Sequence, residues 1–183
     1  MKYLILFCCL FIVSNSYSQS TKNSIKFLQE FFADKLPIVY SDTIHQYDLK
    51  YLKEAIVKDT LYNNFFFGQN NAGRQLILTK DEKKYLLEKI DEQQDFIWPN
   101  NLFQNSQKID LEEKNSNSNL KKKLKKFQSI YNFSKPVFIR NNSICIFYYG
   151  YYCGGECGQG SIEIYRKINS KWTKWITMVQ WIS

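Results

Sequence analysis

A single histidine, His45, serves this whole 183-residue chain. Structural zinc draws on four Cys or His ligands. Nucleophilic triads of the Ser–His–acid or Cys–His kind need an imidazole. Any such chemistry would have to run through His45, which sits in the loop-like stretch Ser41-Asp42-Thr43-Ile44-His45. Long apolar runs are also scarce. After Tyr3–Val13 no segment has the length to cross a bilayer. Phosphate-binding loops are missing too: the glycines of Gly154-Gly155 and Gly158-x-Gly160 are followed by no Gly-Lys-Ser/Thr, and they read as turn glycines. The 17 acidic residues are scattered, and no pair has a spacing that specifies glycosidase chemistry. There is no internal repeat. These absences leave no expected metal, cofactor or catalytic residue.

What is present begins with an address. Lys2, the apolar run Tyr3–Val13, and Ser16 and Ser18 at the −3 and −1 positions match a secretory signal peptide over 1–18, with cleavage before Gln19. Cys8 and Cys9 fall within that segment. The remainder, 19–183, has the length of one domain and can bury an ordinary core. Twenty-five Lys and Arg against 17 acids give +8, and cleavage removes only Lys2 from that balance. The expected location is secreted or periplasmic. A basic protein there meets anionic lipid, polysaccharide and acidic proteins. Partners are then a protein or polysaccharide of the cell envelope, with no nucleic acid expected.

The chain's periodicity predicts helices first and strands last. Ile25, Leu28 and Phe32 mark one apolar face over 22–36, and Pro37 ends it. Leu49, Leu52 and Ile56 mark a second helix over 48–58. Strands are expected at 65–67 and 75–78 around a glycine- and asparagine-rich loop. Thr79-Lys80-Asp81-Glu82 is a capping-box pattern that opens a helix running to about Gln93. The polar stretch 105–119 reads as a surface loop. Leu120, Leu124, Phe127 and Tyr131 return to helical spacing. The last third predicts strands at 136–140, 143–153, 161–168 and 171–182, joined by turns at Asn141-Asn142 and Asn169-Ser170. The expected fold is α+β, with N-terminal helices packed on an antiparallel β-meander formed mainly by the C-terminal third.

The meander carries the cysteines. Cys145 and Cys153 share strand parity but lie about 26 Å apart at roughly 3.3 Å per residue, beyond the reach of a disulfide. Cys153 and Cys157 can meet around Gly154-Gly155, and an oxidising compartment favours the bond. A redox pair would have Cys-x-x-Cys spacing at a helix N-terminus, which this is not. A dyad of His45 with Cys145 is an arrangement the residue types permit. Cys145 as a small buried hydrophobe is the simpler reading.

Tyr148, Tyr149, Tyr151 and Tyr152, with Trp172, Trp175 and Trp181, suit either core packing or a stacking surface for sugar rings or a protein. The candidate contact surface is Tyr149, Tyr151, Tyr152, Glu156 and Gln159, beside the Cys153–Cys157 corner. Glu156 and Glu163 flank that corner and are the acids a hydrolase would use; a free cysteine would serve a thiol-dependent enzyme. A third reading is peripheral attachment to anionic surfaces through Lys121, Lys122, Lys123, Lys125 and Lys126 on one helix. Between these, a non-catalytic binding or interaction module is the expectation.

Phe133-Ser134-Lys135-Pro136-Val137-Phe138, then Tyr152-Cys153-Gly154 with Cys157-Gly158 and Gly160, then Lys171-Trp172, resemble a group of small exported bacterial proteins of unassigned function. The resemblance covers the C-terminal third. It implies export and the cysteine corner, and carries no activity.

Overall fold

The computed structural model describes residues 21–63, 74–110, 129–154 and 157–183. The chain divides into two compact units, Met1–Asp34 and Lys35–Ser183. In the first, helix α1 covers 21–32 and continues into a 3₁₀ turn at Ala33–Lys35. Phe27, Leu28 and Phe32 are buried on it, and the rings of Phe31 and Phe32 meet edge to face with centroids 4.8 Å apart. The Leu36–Pro37 peptide that follows is cis. Among the described residues no helix is long and apolar enough to cross a membrane.

The second unit is an α+β arrangement. Its strands are β1 Val39–Ser41, β2 Thr60–Tyr62, β3 Gln75–Ile77, β4 Gln107–Ile109, β5 Ile130–Phe133, β6 Val137–Ile139, β7 Ile144–Gly154, β8 Cys157–Ile168 and β9 Lys171–Ile182. Helices α2, Gln46–Ile56, and α3, Lys80–Asp91, separate the early strands. Seven strands form one sheet in the order β4-β1-β5-β7-β8-β9, with β6 also paired to β7. β5 lies against the second half of β7 and β6 against the first half. β2 and β3 make a separate antiparallel pair.

The expected meander is β7-β8-β9, antiparallel throughout. Short turns enforce that pairing. Asn169 and Ser170 both take positive φ, 49° and 65°, as a two-residue hairpin loop requires. The sheet is mixed, because β1 runs parallel to both β4 and β5. Residues 107–109 therefore form a strand inside the stretch that composition marks as a loop. Residues 130 and 131 are extended as well, where the spacing predicts a helix: in β5 the buried positions are Ile130 and Phe133, and the strand's partners decide its conformation. The strand expected at 65–67 and its loop lie outside the described residues; β3 pairs instead with Thr60–Tyr62.

One face of the sheet is covered by helices. Leu49, Leu52 and Ile56 of α2, with Leu86 and Ile90 of α3, share a core with Ile144, Ile146, Tyr148, Ile162, Ile164 and Ile176. Each such side chain contributes about 1.5–3 kcal/mol by leaving water. α3 begins as the capping box dictates. Glu82 N–H donates to Thr79 Oγ1 at 3.1 Å, and Thr79 N–H donates to Glu82 Oε2 at 3.0 Å. Its far end is pinned to the β5–β6 junction: the buried Gln93 accepts from Lys135 N–H at 2.7 Å and donates to Lys135 O at 3.1 Å.

The opposite face is aromatic. Trp98, Leu102 and Phe103 are buried there, and Trp98 and Phe103 stand 5.2 and 6.1 Å from the Phe133 ring. Phe147 continues the row.

Candidate functional site

The corner that the cysteines announce is the tip of the β7–β8 hairpin. Tyr152 pairs with Gly158 and Gly154 with Cys157, with a register shift between the two pairs. Cys153 and Cys157 are disulfide-bonded, with Cα atoms 5.2 Å apart. Cys145 is free and fully buried, and burial pushes its thiol pKa up. Glu156 lies outside the described residues, as do Lys121, Lys122, Lys123, Lys125 and Lys126.

Cross-strand pairing sorts the tyrosines onto two faces. Tyr151 pairs with Gln159 and Tyr131, and its hydroxyl donates to Gln159 Oε1 at 3.2 Å. Tyr149, two residues back, shares that face and is partly buried. These three belong to the aromatic face opposite the helices. Tyr152 points to the helix-covered face and is 41% exposed. The five residues named from sequence thus do not form one patch: Tyr149, Tyr151 and Gln159 are brought together, and Tyr152 stands apart from them.

On the side of Tyr152 the structure assembles a site that joins Trp181, a stacking candidate in the sequence, to residues the sequence did not bring together with it. Asn132 of β5, Gly150 of β7, Gly160 of β8 and Trp181 of β9 lie side by side in one row across the sheet. The next row toward the tip holds Ile130, Tyr152 and Gly158. Gly150, Gly158 and Gly160 are strand residues, and none has a positive φ. The turn reading of Gly158 and Gly160 is corrected here: all three are glycines because other side chains occupy the space a Cβ would need. A Cβ at Gly160 would fall 2.3–2.5 Å from the Trp181 indole. One at Gly150 would fall 2.8 Å from the Tyr148 hydroxyl.

That hydroxyl belongs to a polar cluster at the N-terminus of α2. Tyr148 and Asn132 both donate to Asp48, the latter from Nδ2 to Oδ2 at 2.6 Å. His45 is the helix N-cap, its Nδ1 accepting from Tyr47 N–H at 3.2 Å, and its charge when protonated acts on Asp48. Burial raises the Asp48 pKa above the usual carboxylate value, and the hydrogen bonds from Tyr148 and Asn132 only partly offset this. Burial likewise drives the Tyr148 pKa up, reinforced by the Asp48 charge. The cluster leaves hydrogen-bonding capacity unspent. Asn132 Oδ1 and Ser41 Oγ are buried without a partner. Ser41 follows Tyr40 on β1 as Asn132 follows Tyr131 on β5, so the parallel register sets the two side by side.

Glu163 occupies the other face. It is buried and accepts from Ser161 Oγ at 3.1 Å, from Lys174 Nζ at 3.1 Å, and from the Tyr165 hydroxyl in a short contact. Cys145 pairs across the ladder with Tyr165, on this same side. His45 and Cys145 are therefore on opposite sides of β7, and the dyad that the residue types permit is not assembled. His45 and Glu163 are separated in the same way. Among the described residues no three His, Cys, Asp or Glu side chains gather as a metal site requires.

The sequence signal for this site was faint. Gly158 and Gly160 alternate with the strand period, which points to one face, and Trp181 shares parity with Trp175, but no local pattern sets Trp181 opposite Gly160. β9 carries register shifts opposite Ile162/Glu163 and Ile164/Tyr165. Each bulge resets which side chains share a face. Comparison with protein-family models, with curated proteins and with solved structures finds no match to this chain.

Proposed function

We propose that this is an exported, non-catalytic binding module whose contact surface is the disulfide-tied end of the β7–β8–β9 sheet on its helix-covered side. The observation that carries the reading is the pairing of exposure with rigidity. Tyr152 and Trp181 are each 41% exposed at the same end of one sheet face. The strands beneath them are joined by the Cys153–Cys157 bond. Large aromatic side chains held in place lose little conformational freedom on binding, so their contact area converts efficiently into affinity. Export follows from the signal-peptide pattern and suits the disulfide. On that reading the partner is a protein or polysaccharide of the cell envelope.

Glu163 and Cys145, the described residues among those an enzyme would use, support this reading from the other side. Glu163 already accepts from three side chains and is buried. Cys145 is buried with a raised pKa, the reverse of an activated thiol.

The test is affinity capture from an envelope fraction with the wild-type protein and with a Tyr152→Ala/Trp181→Ala double variant. Loss of the captured species in the variant, with unchanged circular dichroism, supports the reading. Capture that ignores both substitutions sinks it.

A further inference from the structure

We propose that the row from Asp48 and Asn132 to Trp181 is a carbohydrate subsite: the Trp181 indole stacks on the apolar face of a neutral pyranose, and Asp48 accepts hydrogen bonds from its hydroxyls. This inference rests on the contact-surface reading and names its ligand class.

The geometry supplies both halves of sugar recognition. Trp181 is backed by Gly160 so closely that the ring has no freedom to sink, which leaves its outer side facing solvent. That makes a fixed flat apolar platform. Adjacent strands are about 4.8 Å apart, and the row from Trp181 reaches Asn132 in three such steps. The indole leans over the first step and the Tyr148 hydroxyl over the second. The platform and the polar cluster are therefore separated by about one sugar unit. Asp48 and Asn132 are both partly exposed. A carboxylate has about four acceptor positions; Tyr148 and Asn132 are the hydrogen-bonding side chains on Asp48.

Two features argue against a purely structural role for the cluster. Structural polar networks satisfy their members, whereas Asn132 Oδ1 and Ser41 Oγ have no partner, and Ser41 is only 1% exposed. Asp48 is held where burial disfavours its charge, so the folded protein gives up stability to keep it. The ligand is neutral because an anionic sugar would meet the Asp48 charge.

The experiment titrates the full chain, freed of its leader, with chitotetraose, a β-glucan tetrasaccharide and an α-glucan tetrasaccharide. It follows tryptophan fluorescence and saturation-transfer NMR. At least one saccharide should bind, and Trp181→Ala and Asp48→Asn should each weaken it about tenfold or more, as anchor residues do. Trp181→Phe should weaken it less. Asp48→Asn should leave the thermal midpoint unchanged or raised, so lost binding cannot be assigned to unfolding. Binding by none of the three, or binding indifferent to Asp48→Asn and Trp181→Ala, overturns the sugar assignment. If saccharides fail while envelope capture still depends on Tyr152 and Trp181, the contact surface stands and its partner is a protein. If capture ignores both aromatics as well, the surface itself is wrong.

Discussion

The Trp181 indole rests on Gly160 of the neighbouring strand, with ring atoms 2.3–2.5 Å from where a Cβ would stand. Gly160 needs no positive φ. Alanine there would keep the backbone and displace only the ring. Gly160→Ala should destabilise the protein by about 1–3 kcal/mol, as overpacking does. It should also shift the Trp181 emission, isolated as a difference from Trp181→Phe. An unchanged emission would mean the ring is not seated on the glycine.

The Cys153–Cys157 bond closes a short loop, with a sequence separation of 4. On the chain-entropy model that stabilises by about 2 kcal/mol. The ladder behind it runs from Ile144/Arg166 to Tyr152/Gly158 and does not depend on it. Cys153→Ser/Cys157→Ser should lower the unfolding free energy by that amount, read as a lower urea midpoint, while leaving far-UV circular dichroism unchanged. In the wild type, Cys145 should resist thiol reagents until the chain unfolds. Its rapid native-state modification would contradict its burial.

The parts of the fold legible in the sequence are those with local causes. Thr79 and Glu82 spell out their own helix start, and each finds the other three residues away. Cys153, Gly154 and Cys157 similarly declare a hairpin tip. The illegible parts depend on distant partners. β1 and β4 are three-residue strands, and their parallel pairing joins Val39 to Gln107. No local pattern encodes such a pairing. In sequence Asp48 only opens the helix predicted over 48–58, and Asn132 only follows the helical spacing that ends at Tyr131. Only the parallel strands and the packing of α2 bring them together. The register shift in β9 sets Ile176 and Val179, of opposite parity, against Ile164 and Ile162 on one face, which a simple parity count does not show.

Glu163 gives a test of the opposite face. Its side chain is 3% exposed while that of Lys174 is 56% exposed, so the pair is asymmetric. The buried cost falls on the carboxylate and its hydroxyl donors. Glu163→Ala would strand the Tyr165 and Ser161 hydroxyls as well as open a cavity, and should cost about 3–5 kcal/mol. Lys174→Ala removes a solvent-screened cation and should cost about 1 kcal/mol or less. Urea denaturation of both variants checks the order. Equal losses would mean that the ion pair, and not the buried hydroxyl bonds, holds the carboxylate.

Glu82 links α3 to the β6–β7 turn and makes the pH dependence specific. Its carboxylate accepts from Arg140 Nε at 2.8 Å as well as from Thr79 N–H. The Arg140 hydrogen bond, chiefly, and then the Thr79 bonds hold its pKa below the ordinary value of 4.5. A depressed carboxylate contributes stability above its unfolded value, and the contribution is lost as pH falls through the folded value. Glu82→Gln keeps an acceptor for the helix cap but removes the charge facing Arg140. At neutral pH it should cost about 1 kcal/mol, near the middle of the capping range and modest because Arg140 is exposed. In acid, below the depressed value, the wild-type carboxylate is protonated too, and the two proteins should unfold at the same urea concentration. The comparison is a pair of urea titrations, one at each pH. A difference that persists undiminished in acid would show that the substitution acts on packing or on the cap, and that the Arg140 ion pair contributes nothing.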